Sequence, residues 1–123
     1  MLTDTTRSPY ARVVPLPWDA VRWSSGFWQD VVTVNASQTI PHLQNMFESA
    51  QTSHVVENFR ICAGEKNGEF GGSDFGDGDF YKWMEAAIYA AGQNQDQALL
   101  AELDAYIDLI ARSQQPDGYI STK

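Results

Sequence analysis

Apolar residues recur at intervals of three and four along two neighbouring segments in the second half of the chain. Such spacing places the side chains on one face of an α-helix, so the pattern predicts two amphipathic helices. The apolar positions are Phe80, Trp83, Met84, Ala87, Ile88 and Ala91 in the first segment, and Leu99, Leu103, Tyr106, Ile107, Ile110 and Ala111 in the second.

The residues around these stripes indicate where the two helices begin and end. Asp79 stands where an N-cap belongs, Gly92 where the first helix should stop, and Asp96 where the second needs its cap. About four residues would then separate the helices, and so short a connection predicts antiparallel neighbours in an αα-hairpin.

A further long helix is predicted over residues 27–48, with Ser24 or Ser25 as its cap. Pro41 lies inside it and cannot donate a backbone hydrogen bond, so we expect a kink or two consecutive helices. In the second case Thr39 would cap the second helix, with Pro41 in its first turn.

The remaining segments have less regular patterns. Residues 1–12 are expected to be a flexible lead-in, and residues 13–23, with two prolines, to form short extended pieces packed on the helices. Residues 53–63 predict another helix. Residues 64–78 contain six glycines and predict a loop, whose ordering is costly unless the loop has a role. The chain is therefore predicted to be all-α, with residues 13–123 as one portion of a helical domain.

The charge of the chain limits the classes of partner that it can bind. The formal net charge is −8 over 123 residues, which argues against nucleic acid or an anionic membrane as partner, because both require basic patches. No stretch approaches the roughly 20 apolar residues of a membrane span, and no apolar signal region is visible near the N-terminus. We therefore expect a cytoplasmic protein.

Candidate chemistry is sparse. The carboxylates Asp74, Asp77 and Asp79 do not have the spacing of a calcium loop, although a pair of carboxylates is what glycoside hydrolysis uses. His42 and His54 have no partners at ligand spacing, so no metal site is expected. The one cysteine, Cys62, lies in an apolar run and is expected to be a buried hydrophobe.

Two specific sequence blocks occur in the second half of the chain, and several shorter ones precede them. The blocks are Asp77-x-Asp79-Phe80-Tyr81-Lys82-Trp83-Met84-Glu85-Ala86 and Gln115-Pro116-Asp117-Gly118-Tyr119, preceded by Gly26-Phe27-Trp28, Thr39-Ile40-Pro41, Ser53-His54, Asn58-Phe59 and Ala63-Gly64-Glu65. Together they closely resemble the start of the family 127 glycoside hydrolases, the β-L-arabinofuranosidases and their relatives, and the resemblance covers about residues 20–123.

The resemblance implies an (α/α)6 barrel of which this chain supplies the first helices, with β-sandwich domains later in the full protein. It also implies a retaining hydrolase whose nucleophile is a cysteine thiolate held on zinc, with a glutamate as acid/base. Those positions lie downstream in the family, and Cys62 is too early to be the nucleophile. No catalytic or metal residue is therefore expected in this chain, and zinc is expected only in the full-length enzyme.

The matched segments can contribute a pocket wall for a carbohydrate substrate, because inner-helix N-termini and their loops surround the site of such barrels. The candidates are Asp79, Lys82, Asp117 and Tyr119, with Gln51 as a weaker one. The Tyr119 ring suits stacking on a sugar, and Asp117 with Gln115 suits its hydroxyls. A purely structural role is the alternative for each residue.

Two other interpretations stay open. The chain could be a stand-alone helical carbohydrate-binding or interaction module, or its relatives could be six-hairpin lyases or unsaturated glucuronyl hydrolases, which lack the two blocks. The fragment interpretation is favoured because no polar replacements occur on the helix faces and because the loop at 114–122 normally leads into more protein. It predicts a large exposed apolar patch and self-association. The residues that carry this argument are Phe80, Trp83, Met84, Ile88, Leu99, Leu103 and Ile107.

Overall fold

In the computed structural model, which describes residues 4–17 and 20–122, five α-helices follow one another. Helix α1 spans Phe27–Val34 and passes through a π-helical turn at Asn35–Thr39 into α2, Ile40–Glu48. Helix α3 spans Val55–Cys62, α4 spans Gly76–Asn94, and α5 spans Gln97–Ser113. The described residues contain no β-strand, so the all-α prediction is confirmed.

The helix predicted over residues 27–48 continues through Pro41 by means of the π-helical turn. Thr39 has helical backbone angles and makes no capping bond, so its predicted role as a cap is wrong. The N–H of Ile40 donates to the carbonyl of Asn35, five residues back. This wider turn takes the chain past a proline that has no N–H to donate. Gly26, not Ser24 or Ser25, precedes α1.

Helix α4 begins earlier and ends later than predicted. It starts at Gly76, so Asp79 is its fourth residue and does not cap it. A Cβ on Gly76 would lie 2.7 Å from Val55 Cγ2, so the start of α4 packs directly on α3 where only glycine fits. The helix ends beyond Gly92, because Gln95 adopts the left-handed conformation with φ 57° and the N–H of Asp96 donates to Ala91 O over 2.8 Å.

The cap predicted for α5 is confirmed. Asp96 Oδ1 accepts a hydrogen bond of 3.0 Å from the backbone N–H of Leu99. Gln95 and Asp96 alone connect α4 to α5, a shorter link than expected, and the two helices pack against each other. The chain therefore returns along α5 to the end of the molecule where α4 begins.

An aromatic cluster centred on Phe80 holds the helices together. The centroid of the Phe80 ring lies 5.3 Å from that of Phe47 on α2 and 6.1 Å from that of Phe59 on α3. It also lies 5.3 Å from the ring centroid of Tyr106 on α5 and 5.6 Å from that of Trp83, one turn along α4. The indole N–H of Trp83 also donates to a carbonyl of α2. One side chain thus joins α4 to three other helices.

The chain covers most of its own hairpin face. Phe80, Trp83, Met84 and Leu103 are buried, although they were expected to need neighbours outside the chain. Of the same set, Ile88 and Ile107 are 39% and 47% exposed. The expectation was wrong for the central residues because α2 and α3 pack across the hairpin.

Exposed apolar surface lies instead near the N-terminus. Helix α1 buries no residue, and Phe27 and Trp28 are 70% and 59% exposed. Val13 and Leu16 are 77% and 70% exposed, so the packing predicted for residues 13–23 is wrong at the start of that segment. Arg22 and Trp23, at its end, line a small pocket with residues of α1 and the end of α4; Trp18 and Asp19 lie outside the described residues. No helix in the described part of the chain is both long and apolar enough to span a membrane. Self-association and the flexibility of residues 1–12 stay predictions.

Replacing Phe80 by alanine should lower the free energy of unfolding by about 3–5 kcal/mol, the usual cost of removing a buried ring. The exposed Phe75, five residues earlier in the chain, is the matched control, and Phe75→Ala should change stability by no more than about 0.5 kcal/mol. Urea unfolding followed by circular dichroism measures both. Equal losses for the two variants would contradict the central role of Phe80.

Candidate functional site

Asp77 joins the first turn of α4 to the segment that follows α5. Its Oδ2 accepts a hydrogen bond of 2.8 Å from the backbone N–H of Thr122, and its Oδ1 accepts one of 2.7 Å from the Thr122 hydroxyl. Thr122 is buried. A carboxylate in the first turn of a helix is also stabilised by the helix dipole. Asp77 therefore fixes the loop after α5 at the N-terminal end of α4.

Cys62 and Tyr81 lie close to Asp77. Cys62 Sγ lies 4.0 Å from the carbonyl oxygen of Ser121, the neighbour of Thr122. Burial, and secondly the negative charge of Asp77, raise the pKa of the Cys62 thiol, and the same two causes raise the pKa of Tyr81. Cys62 is only partly buried, and its raised pKa favours the protonated thiol over the thiolate at neutral pH.

Asp79 and Lys82 lie on the other side of α4. Successive residues of a helix are about 100° apart, so the Asp79 side chain points about 160° away from that of Asp77. Lys82 Nζ forms an ion pair of 3.1 Å with Asp79 Oδ1. Both residues line a groove of about 540 Å³ between α4, the π-helical turn with α2, and the start of α3. The groove is apolar inside and carries this charged pair at its edge. Its apolar lining includes Ile40, Leu43, Met46, Phe47, Val55, Trp83 and Ala86.

Asp117 and Tyr119 belong to a tight turn after α5. Asp117 Oδ1 accepts a hydrogen bond of 3.0 Å from the backbone N–H of Tyr119. Gly118, with φ 91°, donates its N–H to Gln115 O over 2.9 Å, and Gln115 donates back to Tyr119 O over 2.9 Å. The Asp117 carboxylate thus shapes the turn, and the Tyr119 ring is 58% exposed.

The four predicted site residues therefore form two pairs. Asp79 bonds to Lys82, and Asp117 bonds to the backbone of Tyr119. The second pair precedes Thr122, which is bound to Asp77 on the opposite side of α4. The weaker candidate Gln51 is exposed in the turn after α2, where its Oε1 accepts a bond of 3.4 Å from Ser49.

Sequence reasoning missed the role of Asp77. The signal was present, because two aspartates two positions apart on a helix must face different sides. It could not be interpreted while Asp79 was assigned as the cap, since that placed Asp77 in the loop. Because the helix starts at Gly76, both Asp77 and Asp79 lie in its first turn and neither is the cap.

A second cleft, of about 610 Å³, lies between α2, α3 and α5 and contains none of the predicted site residues. Its polar groups bond mostly to one another: the Tyr106 hydroxyl donates to Glu48, and Gln44 Nε2 donates to Glu102 over 2.7 Å. Burial and the bond to Glu48 raise the pKa of Tyr106. These contacts join α2 to α5, and we assign this cleft a structural role.

A metal centre has no support among the residues that the structure describes. No three His, Cys, Asp or Glu side chains there come close enough together to hold an ion. His54 instead makes a hydrogen bond of 2.9 Å between its Nδ1 and Asn58 Oδ1.

A family model and a curated protein that match this chain are both described as beta-L-arabinofuranosidases. Residues 20–123 match the family model described as beta-L-arabinofuranosidase, GH127 catalytic domain. The chain is 50% identical over 70 residues to a non-reducing end beta-L-arabinofuranosidase of Bifidobacterium longum subsp. longum, a match over 57% of this chain and 11% of that protein.

A solved structure is similar as well. The crystal structure of a GH127 beta-L-arabinofuranosidase from Geobacillus stearothermophilus T6 matches with a TM-score of 0.77 and 39% identity, over 82% of this chain and 16% of that one. The matched region is thus a small part of the length of each relative.

Neutralising Asp77 should lower the pKa of the Cys62 thiol, because a nearby negative charge disfavours the thiolate. Burial remains, so the pKa of Cys62 in Asp77→Asn should stay above that of an exposed thiol. The rate of Cys62 alkylation against pH measures this shift. Asp79→Asn is the matched control, since Asp79 faces away, and its profile should coincide with that of the unmodified chain. A Cys62 profile unmoved by Asp77→Asn would contradict the assigned site.

Proposed function

We propose that this chain, which belongs to the beta-L-arabinofuranosidase GH127 catalytic-domain family, forms the N-terminal helical part of a retaining glycoside hydrolase that acts on β-L-arabinofuranosides. The observation that carries the proposal is the match over residues 20–123. It includes the whole α4–α5 hairpin and the loops at the N-terminal end of α4.

The chain's part in this function would be to form the wall of the substrate pocket. The exposed Tyr119 ring is held out by a turn with four internal hydrogen bonds, and a rigid aromatic face suits stacking on a sugar ring. Asp79 and Lys82 offer an acceptor and a donor for sugar hydroxyls at the edge of the apolar groove. Because the two pairs lie on different sides of α4, we propose that they contact different parts of the substrate.

Bond cleavage is assigned to parts of the enzyme outside this chain. The resemblance to the family implies a zinc ion that holds a cysteine thiolate as nucleophile, and we propose that the full-length enzyme binds zinc in this way. The described residues do not fit such a centre, so no step of the reaction is assigned to them. Cys62 lies too early in the chain to be that nucleophile, and the role is not assigned to it.

We also propose a class of partner and a cellular compartment for the protein. We propose a carbohydrate as substrate and neither nucleic acid nor a membrane as partner, in view of the net charge of −8. We propose the cytoplasm as the location.

A stand-alone helical carbohydrate-binding or interaction module is the second candidate. One observation favours it: the aromatic cluster around Phe80 is closed within this chain, so the chain has a core of its own. Calorimetric titration of the chain with L-arabinofuranosides tests this candidate, since a module should bind them without further domains.

Substitutions in a full-length family member that carries the same residues test the proposed pocket wall. Asp79→Asn and Tyr119→Phe should each lower kcat/KM, by about tenfold where a bond to the substrate worth about 1.4 kcal/mol is lost. Tyr119→Ala should lower it further, because stacking is lost as well. Asp74→Asn, in the exposed loop before α4, is the control. Unchanged kcat/KM in all the Asp79 and Tyr119 variants would refute the assignment.

A further inference from the structure

The glycine-rich loop between α3 and α4 is held down at Gly71 by a buried asparagine. Asn58 is 1% exposed. Its Nδ2 donates to the carbonyl of Gly71 over 2.8 Å, and its Oδ1 accepts the N–H of Gly71 over 3.0 Å. Both backbone polar groups of Gly71 are therefore bonded to one side chain of α3.

These two bonds determine the hydrogen bonding of His54. They allow only one orientation of the Asn58 amide. In the flipped orientation the NH2 group would face the N–H of Gly71, and the amide oxygen would face the carbonyl oxygen of Gly71. The atom 2.9 Å from His54 Nδ1 is then Asn58 Oδ1, an acceptor. His54 Nδ1 must carry the proton, and in the neutral ring Nε2 is an acceptor.

The backbone of the loop lies directly on the turn that contains His54. A Cβ on Gly71 would be 3.0 Å from the His54 ring, and a Cβ on Gly72 would be 2.1 Å from Ser53 O. Gly72 also has a φ of 79°, which other residues rarely adopt. His54 itself has a φ of 65°, a conformation for which histidine is among the better-suited side chains.

We infer that Asn58 and His54 are a positioning pair, which clamps the loop at Gly71 and Gly72 and thereby sets the place of the first turn of α4. The clamp holds the segment 72–76 at one end, and the contact of Gly76 with Val55 holds it at the other. The turn that begins there carries Asp77 and Asp79. The link from the clamp to substrate binding rests on the proposed pocket wall, whereas the clamp itself does not.

The tautomer of His54 can be measured in the unmodified chain. Nitrogen NMR of the histidine rings should show neutral His54 with its proton on Nδ1. A proton on Nε2 alone would overturn the inference, whatever the outcome for any variant.

Amide hydrogen exchange tests the clamp. In Asn58→Leu, protection of the Gly71 amide should fall by about tenfold or more, since a hydrogen bond worth about 1.4 kcal/mol is lost, while that of Leu103 in the core should not change. Asn58→Asp keeps the acceptor for the Gly71 N–H but sets a second carboxylate oxygen against the Gly71 carbonyl oxygen, so it should lower the protection as well. An equal loss at Leu103 would show that Asn58 is only a core residue, and would overturn the inference.

Two glycines of the same region give a matched pair of variants. Gly72→Ala should free the loop or destabilise the chain, because the added carbon meets the carbonyl of Ser53 and the φ is unfavourable. The Cβ added by Gly78→Ala would have no neighbouring atom within 4 Å, so this variant should leave amide hydrogen exchange in the loop unchanged. Tolerance of both substitutions would contradict close contact between the loop and Ser53.

In a full-length family member, Asn58→Leu should raise KM more than it lowers kcat. A freed loop with an unchanged KM would overturn the link to the pocket wall and leave the clamp standing. An unchanged loop would overturn the clamp, whatever happens to the activity.

Discussion

The contact of the Phe80 ring with rings from α2, α3 and α5 is the interaction on which the rest of the structure depends. Aromatic rings bury large areas and prefer the tilted and edge-on arrangements found here. Because this one side chain joins α4 to three helices, it sets where α3 and α5 end relative to the start of α4. The loops at that end of the molecule are placed as a consequence.

At that end, α4 separates two different surfaces. Asp77 holds the loop after α5 on one side, and the Asp79–Lys82 pair borders an apolar groove on the other. Two aspartates two residues apart thus have different surroundings: Asp77 is bonded to Thr122, and Asp79 is paired with Lys82 beside the groove. The first aspartate of the Asp-x-Asp block therefore contributes to the packing of the helical domain, and the second is the one assigned to the proposed pocket wall.

The glycine-rich loop shows how a segment with little side-chain material is kept in place. Its backbone lies against Ser53 and His54 where a Cβ would collide, and Asn58 bonds both polar groups of Gly71. The loss of conformational entropy on ordering these glycines is offset by contacts with α3 that only glycine permits. The loop behaves as a fixed support of the α4 N-terminus.

The sequence by itself determined what depends on neighbours within a few residues. The helical periodicity and the bond of Asp96 to Leu99 are local, and the blocks shared with the GH127 family are read directly from the residues. Tertiary structure decided the start of α4 at Gly76, the partner of Asp77 at Thr122, and the clamp on Gly71, since these rest on contacts with Val55, Thr122 and Asn58. Gly71 and Asn58 are 13 residues apart in the sequence, and Asp77 and Thr122 are 45 residues apart. No local pattern encodes which distant side chain will meet a helix end.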